Sequence, residues 1–490
     1  MSGGSGETTV RRSKARILSD AVHALEFRDL PPEVVEVARA AFLDWVGAAL
    51  AGSSEQSARI LMDVLPHAGG PAEATILPGP SKGPALFAAL INGAASHATE
   101  MDDFHKTSMI HLGITVIPAV LALAEARHAS GAEFVTALIA GFEAGIRVGE
   151  AVNPSHWEFW HPSGTCGTFA AAAGAARLLA LTPEHMTFGF GLAGTQASGL
   201  RFYGGMNKHL HPGKAAMNGL LAALLAERGF TSDERIFEGE TGFCKATARD
   251  FDLEKLTAGL PFTPGHFRSV ENSYKPYASC RHTHPAIDAV LEIVTASPVQ
   301  PDEVASIRCR TFGAATRLLS DPAVRDAVSA KFSLPYCIAV AVKVKRVGLD
   351  AFSPSLLWDR EVRALMERVT VEVDPAMDDA YPAMLPAEVE IVDKAGVARK
   401  ARVDQPKGEP ENPMSLAEML DKYKTVASMT VGDTATRRIL ERVMSLETLP
   451  DMNLVFEGLE ARGTNDAGVQ DQRRADHPVP MARVANPRVS

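Results

Sequence analysis

Eight of the fifteen histidines fall in four short segments: His105 with His111, His156 with His161, His209 with His211, and His282 with His284. Each segment also carries charge or turn residues. Asp102-Asp103 precedes the first and Pro162-Ser163-Gly164 follows the second. Lys208 and Lys214 bracket the third, and Lys275 and Arg281 precede the fourth. Imidazole changes charge near neutral pH, so it moves protons. Lys and Arg neutralise anions. Histidines mixed with cations and Asp in turn-rich text therefore point to proton transfer on a carboxylate. One histidine alone in so long a chain is ordinarily a surface or core residue, and Asp102-Asp103 alone reads equally as a helix cap. Four mixed clusters carry more weight than any one of them, but only a fold can bring them together.

Other chemistries find little support. There is no HExxH, and His105 and His111, six apart, do not share a helical face at i,i+4. No GxGxxG follows a strand, no GxxxxGK[ST] is present, and Gly79-Pro80-Ser81-Lys82-Gly83 lacks phosphate-loop spacing. A GxSxG nucleophile elbow is missing as well. The five cysteines, Cys166, Cys244, Cys280, Cys309 and Cys337, form no CxxC pair, which argues against a disulfide framework and a structural zinc. Acid–base chemistry without metal or cofactor is what remains.

Composition narrows the class. A length of 490 residues is a soft prior for two to four domains. With 49 Lys+Arg against 59 Asp+Glu the formal charge is −10, which argues against a nucleic-acid partner. A local basic pocket for a small anion stays compatible with that total. Residues 1–16 are polar and carry no apolar signal region. The longest apolar stretches, such as 114–124, fall short of the roughly 20 residues that span a bilayer. The expectation is a cytoplasmic, reduced enzyme with no membrane partner.

The elements that must position these residues change character along the chain. Residues 19–251 read as helical. Pro31-Pro32 open a helix with Val34, Val37, Ala38, Ala41, Phe42, Trp45 and Val46 at 3–4 spacing. Stretches 117–127 and 133–148 repeat that pattern. Thr182-Pro183-Glu184 is a helix start, and Thr231 with Glu234 fits a capping box. Stretch 164–174 is almost all Gly, Ala, Ser and Thr, as suits a helix deep in a bundle. Beyond about residue 262, 304–312 and 369–373 alternate as strands. Stretches 387–392 and 397–403 flank the turn Asp393-Lys394-Ala395-Gly396 as a hairpin. Helices are predicted over 284–296 and 330–345. After a Pro/Gly/Glu loop at 406–413, helical text returns over 415–459. The fold class expected is mostly α: a large helical domain built from both chain ends, with a smaller α+β lid inserted. The boundaries expected are 15–268 and 406–460 for the helical domain and 269–405 for the lid. Tails 1–14 and 461–490 are expected to be disordered.

These segments resemble the MmgE/PrpD family, which includes 2-methylcitrate dehydratase, cis-aconitate decarboxylase and iminodisuccinate epimerase. Ile91-Asn92-Gly93-Ala94 through Asp102-Asp103-Phe104-His105 and His111-Leu112-Gly113 is similar to its NG…A…DD-x-H…H-P-G block. Trp160-His161-Pro162-Ser163-Gly164-Thr165 resembles F-H-P-T-G-T. Met206-Asn207-Lys208-His209-Leu210-His211-Pro212-Gly213-Lys214-Ala215-Ala216 resembles T-K-P-L-H-x-G-x-A-A. Lys275-Pro276-Tyr277 through Thr283-His284 resembles K-x-Y-x…H. Lys331 to Tyr336 and Gln405-Pro406-Lys407-Gly408 match two structural stretches. The blocks keep family order over roughly 15–455. Leu112 and His209 stand where the family usually has Pro, and the block around Asp102 lacks the Trp-rich form associated with 2-methylcitrate dehydratases.

The resemblance implies a homodimer with a pocket between helical domain and lid. It also implies a cofactor-independent lyase acting on a small di- or tricarboxylate. The first reading is 2-methylcitrate dehydratase-like, with decarboxylation of cis-aconitate as rival and epimerisation third. A non-catalytic binding or scaffold protein is the alternative of another class, and four polar residues kept in one pocket oppose it. The catalytic set implied is His111, Lys208, His284, Asp102 and His161, with no metal. Lys208 offsets substrate charge, His111 or His284 is acid and base, and Asp102 or Asp103 orients a histidine. Asp103, His105, His211, Lys275 and His282 are implied as substrate-binding.

Overall fold

The computed structural model describes residues 12–202 and 205–459. Counting the longer helices, α1 spans Lys14–Ala24, α2 Pro32–Gly52, α3 Gln56–Val64, α4 Ala85–Ala98 and α5 Gly113–Arg127. They are followed by α6 Gly131–Val152, α7 Pro162–Leu178, α8 Pro183–Gly194 and α9 Asn207–Glu227. Local chemistry sets several starts. Pro32 sits in the first turn of α2, and Thr182 caps α8 by accepting from His185 N ahead of Pro183. Ser130 and Glu133 form a reciprocal capping box on α6.

Two hydrophobic cores divide the chain. The first runs from Ala15 to Phe267 and resumes with Tyr423, Ala427, Ile439 and Val443 through Leu459. Both chain ends therefore build one helical body. The second joins Ala278 through Val403 with Met101 and Val426. Its sheet has strands β1 Val304–Thr311, β2 Val369–Val373, β3 Ala387–Asp393 and β4 Ala398–Val403. The order is β2-β1-β3-β4, with β1 and β2 parallel and the other neighbours antiparallel. Ile307, Cys309, Val389 and Ile391 are fully buried under helices α10 His284–Ala296 and α11 Leu334–Val344. The chain returns to the helical body through α12, Leu416–Met444, which is kinked at Gly432 (φ 77°). The fold class is the one that the sequence indicates: a helical body from both ends with an inserted α+β unit.

Three local expectations are corrected. The capping box at Thr231 and Glu234 starts no helix; Asp233 Oδ1 accepts from Arg235 N at 2.8 Å, an Asx turn that takes the backbone elsewhere. The helix predicted over 330–345 is two, Ala327–Lys331 and α11, because Ser333 caps α11 by accepting from Tyr336 N and Pro335 follows in its first turn. Ser13 caps α1 and Lys14 is helical, so the N-terminal tail ends before 13. The rest of the tails expected to be disordered lies outside the described residues, apart from Arg12.

Small residues bring the site-bearing helices together. A side chain on Gly213 of α9 would meet Leu90 O of α4 at 2.2 Å, and one on Gly93 would meet Gly213 Cα at 2.8 Å. In α7, every residue from Pro162 to Ala176 is buried. Phe104–His105 pairs antiparallel with Asn272–Ser273, tying the loop after α4 to the segment that carries Lys275.

Candidate active site

A cavity of about 340 Å³ opens between the two bodies. Glu100, Phe104, Met109, His111, Trp157, His161, Arg201 and Lys208 line it from the helical body. Lys275, Cys280, Arg281, His282, Leu318 and Phe332 line it from the lid side. Glu100 and Met109 both adopt φ of 58°, a left-handed conformation that costs energy outside glycine and often marks functional loops.

Asp102 is the hub. Its Oδ2 accepts from His97 Nδ1 at 2.8 Å and stands 2.9 Å from His111 Nδ1. Its Oδ1 lies 3.4 Å from Lys275 Nζ. Burial pushes the Asp102 carboxyl up, but Lys275 and then His111 and His97 outweigh it and hold it well below the usual range. Asp102 is therefore an anion at neutral pH. His111 Nδ1 also lies 2.6 Å from Asp103 O, and a carbonyl only accepts, so Nδ1 carries a proton. That leaves Nε2 for the cavity.

Glu100 is a second hub. Lys208 Nζ contacts its Oε1, and Lys275 Nζ lies 3.4 Å from its Oε2. Burial raises the Glu100 carboxyl, yet Lys208 and Lys275 hold it well below the usual range. The Lys275 ammonium is 1% exposed; burial disfavours its charge, and Asp102 and Glu100 more than restore it. Two ammoniums and two carboxylates thus neutralise one another at this end of the cavity.

The neighbouring imidazoles are kept neutral. Burial drives His97 down to about 3, against the pull of Asp102. Burial first, and then nearby positive charge including the Lys208 ammonium, hold His161 well below the usual imidazole range. His161 Nδ1 lies 3.2 Å from His211 Nδ1, so one ring donates to the other. His97 packs 5.1 Å from His111 and 5.7 Å from His161 between ring centres.

Several residues implied by the resemblance stand elsewhere. Asp103 is a helix cap: both its oxygens accept from Gly113 N, at 3.0 and 2.9 Å, and Oδ2 accepts from Asn272 Nδ2 at 2.9 Å. Burial raises it to about 7. His105 is fully buried between Ser108 Oγ at 3.0 Å and Arg268 O at 3.2 Å. His284 is also fully buried, with Nδ1 against Arg281 Nη1 at 3.0 Å and Nε2 against Ser279 O at 3.3 Å. None of the three lines the cavity: Asp103 caps α5, His105 is held by Ser108 and Arg268, and His284 contacts Arg281 and Ser279. His211 is not among the lining residues but contacts His161, whereas Lys275 and His282 do line the cavity.

Sequence reasoning passed over His97 and Glu100. A histidine in the mostly apolar α4, followed three residues later by an acid, was the available signal. The ligand atoms of His97, Asp102 and His111 lie within 4.8 Å of one another, the closest approach to a metal site among the described residues. Asp102 Oδ2 already serves both rings, and the Lys275 ammonium beside Oδ1 opposes a dication.

Comparison with known proteins places this site in a class. Residues 16–256 match the MmgE/PrpD N-terminal domain and 277–448 the MmgE/PrpD C-terminal domain. The chain belongs to the MmgE/PrpD family, and it is an enzyme of the lyase class acting on a small molecule. It is 30% identical over 480 residues to cis-aconitate decarboxylase of Aspergillus terreus, covering 91% of this chain and 96% of that one. It is 23% identical over 461 residues to cis-aconitate decarboxylase of Homo sapiens, covering 91% and 94%. No helix among the described residues is long and apolar enough to cross a membrane.

Proposed function

We propose that the chain decarboxylates cis-aconitate or a closely similar unsaturated tricarboxylate, with His111 as the acid. This reverses the order of readings that the sequence motifs imply, in which dehydration comes first. The observation that carries it is His111: Asp102 and the Asp103 carbonyl hold its Nδ1, and Nε2 is the nitrogen left for the cavity. Decarboxylation asks that ring for one proton and needs no base, because the C–C bond supplies the electron pair. The relatives named as cis-aconitate decarboxylases favour the same choice.

In cis-aconitate the CH2–COO⁻ arm is β,γ-unsaturated. Breaking its C–C bond releases CO2 and leaves the electron pair in an allyl system. Acting as the imidazolium, with Nδ1–H on Asp102, His111 then gives its Nε2 proton to the former vinylic CH carbon and is left as the neutral ring, while the CH2 carbon becomes the end of the new double bond. One proton is consumed and a C5 unsaturated dicarboxylate remains. Asp102 holds the His111 ring; Lys208 and Lys275, shared with Glu100 and Asp102, face the carboxylates that stay. Neither metal nor cofactor has a step to perform. A homodimer and a cytoplasmic location complete the reading; the five free thiols favour a reducing compartment. Light scattering on a sizing column tests the first, with twice the chain mass expected. Parallel incubation with cis-aconitate, 2-methylcitrate and iminodisuccinate, followed by NMR, tests the reaction. Turnover of cis-aconitate alone is expected, and turnover of 2-methylcitrate alone would restore the dehydratase.

A further inference from the structure

The loop after α4 carries both Glu100 and Asp102, and its backbone is held in an unusual way. Thr99 closes α4, and Glu100 follows at φ 58°, a left-handed position that glycine usually fills. Carbonyls at a helix C-terminus lack intrahelical donors, and cations are stabilising there. Here three successive carbonyls each meet a different lysine. Lys331 Nζ donates to Thr99 O at 3.0 Å, Lys275 Nζ to Glu100 O at 3.3 Å and Lys422 Nζ to Met101 O at 2.6 Å.

The three ammoniums arrive from separate elements. Lys331 ends the short helix Ala327–Lys331, Lys275 follows the Asn272–Ser273 strand, and Lys422 lies on α12. Met101 itself packs into the core of the lid. Lys275 already pairs with Glu100 and Asp102 at the cavity. Lys331 and Lys422 do not line that cavity, and no step of the proposed reaction uses them. Lys422 pairs with Asp44 at 2.5 Å, with side chains 6% and 1% exposed. Lys331 is buried and forms no ion pair among the described residues, and burial pulls its pKa down. A buried ion pair is often no more stabilising than apolar packing, and a buried cation without a counterion is costly. Stability therefore gives no reason for either charge. What the two share is a grip on the carbonyls either side of Glu100, one of them adjoining Asp102.

We infer that Lys331 and Lys422 are positioning residues for the two acids of the site. By holding the Thr99 and Met101 carbonyls they keep Glu100 in its left-handed conformation, with its carboxylate on Lys208 and Lys275. They keep Asp102 on His97 and His111 in the same way. The lid and α12 thereby set the geometry of the reacting end from outside the cavity.

The kinetic part of this inference rests on the decarboxylase reading, whereas hydrogen exchange followed by mass spectrometry reads the loop without any reaction. Two releases are compared: Lys331→Met, and Lys422→Met combined with Asp44→Asn, which leaves no unpaired buried acid. Each is expected to speed exchange over residues 98–105 by about tenfold or more, with residues 85–95 at the parent rate. Displacing reacting groups by about 1 Å can cost about 100-fold. On cis-aconitate, kcat should therefore fall about 10- to 100-fold, with KM within about threefold and melting temperature near that of the parent. Lys331→Arg should recover part of kcat, since a neighbouring cavity of about 730 Å³ gives the guanidinium room. Combining both releases should cost less than the product of the two losses, because they free one loop. Losses that multiply would mean two independent sites and overturn the shared grip. Parent-like exchange over 98–105 in both variants would overturn it too, and a loosened loop with parent kcat would remove the positioning role. A parent that leaves cis-aconitate unchanged, with variants that still loosen the loop, would refute the decarboxylase reading and uphold the grip on the loop.

Discussion

Asp102 Oδ2 stands 2.9 Å from His111 Nδ1, and this one contact decides which nitrogen of His111 does chemistry. With Nδ1 committed to Asp102 and to the carbonyl of Asp103, Nε2 is presented to the cavity. The same Asp102 oxygen serves His97, and its partner Oδ1 faces Lys275, so the loop after α4 orients both the acid and the charge around it.

Replacement of His111 by Gln should therefore remove the proton donor and little else. Proton transfer by a positioned group contributes about 10²–10⁴-fold. We expect kcat to fall by that order, with KM and melting temperature near those of the parent. A folded His111→Gln enzyme with normal kcat would take His111 out of the mechanism.

Lys208 and Glu100 form a buried pair, so single substitutions confound charge loss with an orphaned partner. Lys208→Met should lower both activity and stability, since breaking a buried pair costs about 3–5 kcal/mol. Adding Glu100→Gln should restore much of the stability without restoring activity. Denaturant melts and kcat/KM on the two singles and the double separate the effects. Recovery of both together would make Lys208 purely structural.

The buried neutral histidines predict acid sensitivity. Burial lowers His105 from 6.5 to about 4, so its contribution to stability is fully present above about 6.5. Between 6.5 and 4 the unfolded chain binds the extra proton, and the contribution is lost as pH falls. One such proton gives a slope of about 1.4 kcal/mol per pH unit. His105→Gln should shrink the stability difference between pH 6.5 and 5 by about that slope, read from denaturant melts. An unchanged pH dependence would contradict the assignment of His105 as a neutral scaffold residue.

The proposed reaction gives a metal no step, and the Lys275 ammonium stands 3.4 Å from Asp102 Oδ1. Prolonged EDTA treatment should leave kcat unchanged. If one divalent ion restored activity lost to chelation, the His97, Asp102 and His111 cluster would have to be reread as a metal centre.

Much of the fold was legible because helix periodicity and strand alternation are local. Thr182-Pro183 starts α8, and the Gly/Ala-rich α7 is buried from Pro162 to Ala176, as its composition demands. What failed was likewise local: Asp233 took the backbone into an Asx turn that the Thr231/Glu234 spacing hid. At the candidate site, the motif blocks pointed to His111, His161 and Lys208, which line one cavity, and to Asp102, which contacts His111. The separation of Asp103 from Asp102 was not, since adjacent acids look alike until one caps α5 and the other pairs with His97, His111 and Lys275. His284 sits in a strong motif, yet its ring is turned to Arg281 and Ser279. Glu100 went unread because its role depends on two lysines 108 and 175 residues away.

The central claim is that a C–C bond is broken and His111 returns one proton to carbon. Incubation with cis-aconitate in D2O, followed by 1H and 13C NMR with CO2 measured in parallel, tests it most directly. The account predicts equal amounts of CO2 and an unsaturated C5 dicarboxylate. One deuteron should sit on the former vinylic carbon, and the His111→Gln enzyme should be slow. A hydrated C6 product without CO2, or unchanged cis-aconitate, would contradict it.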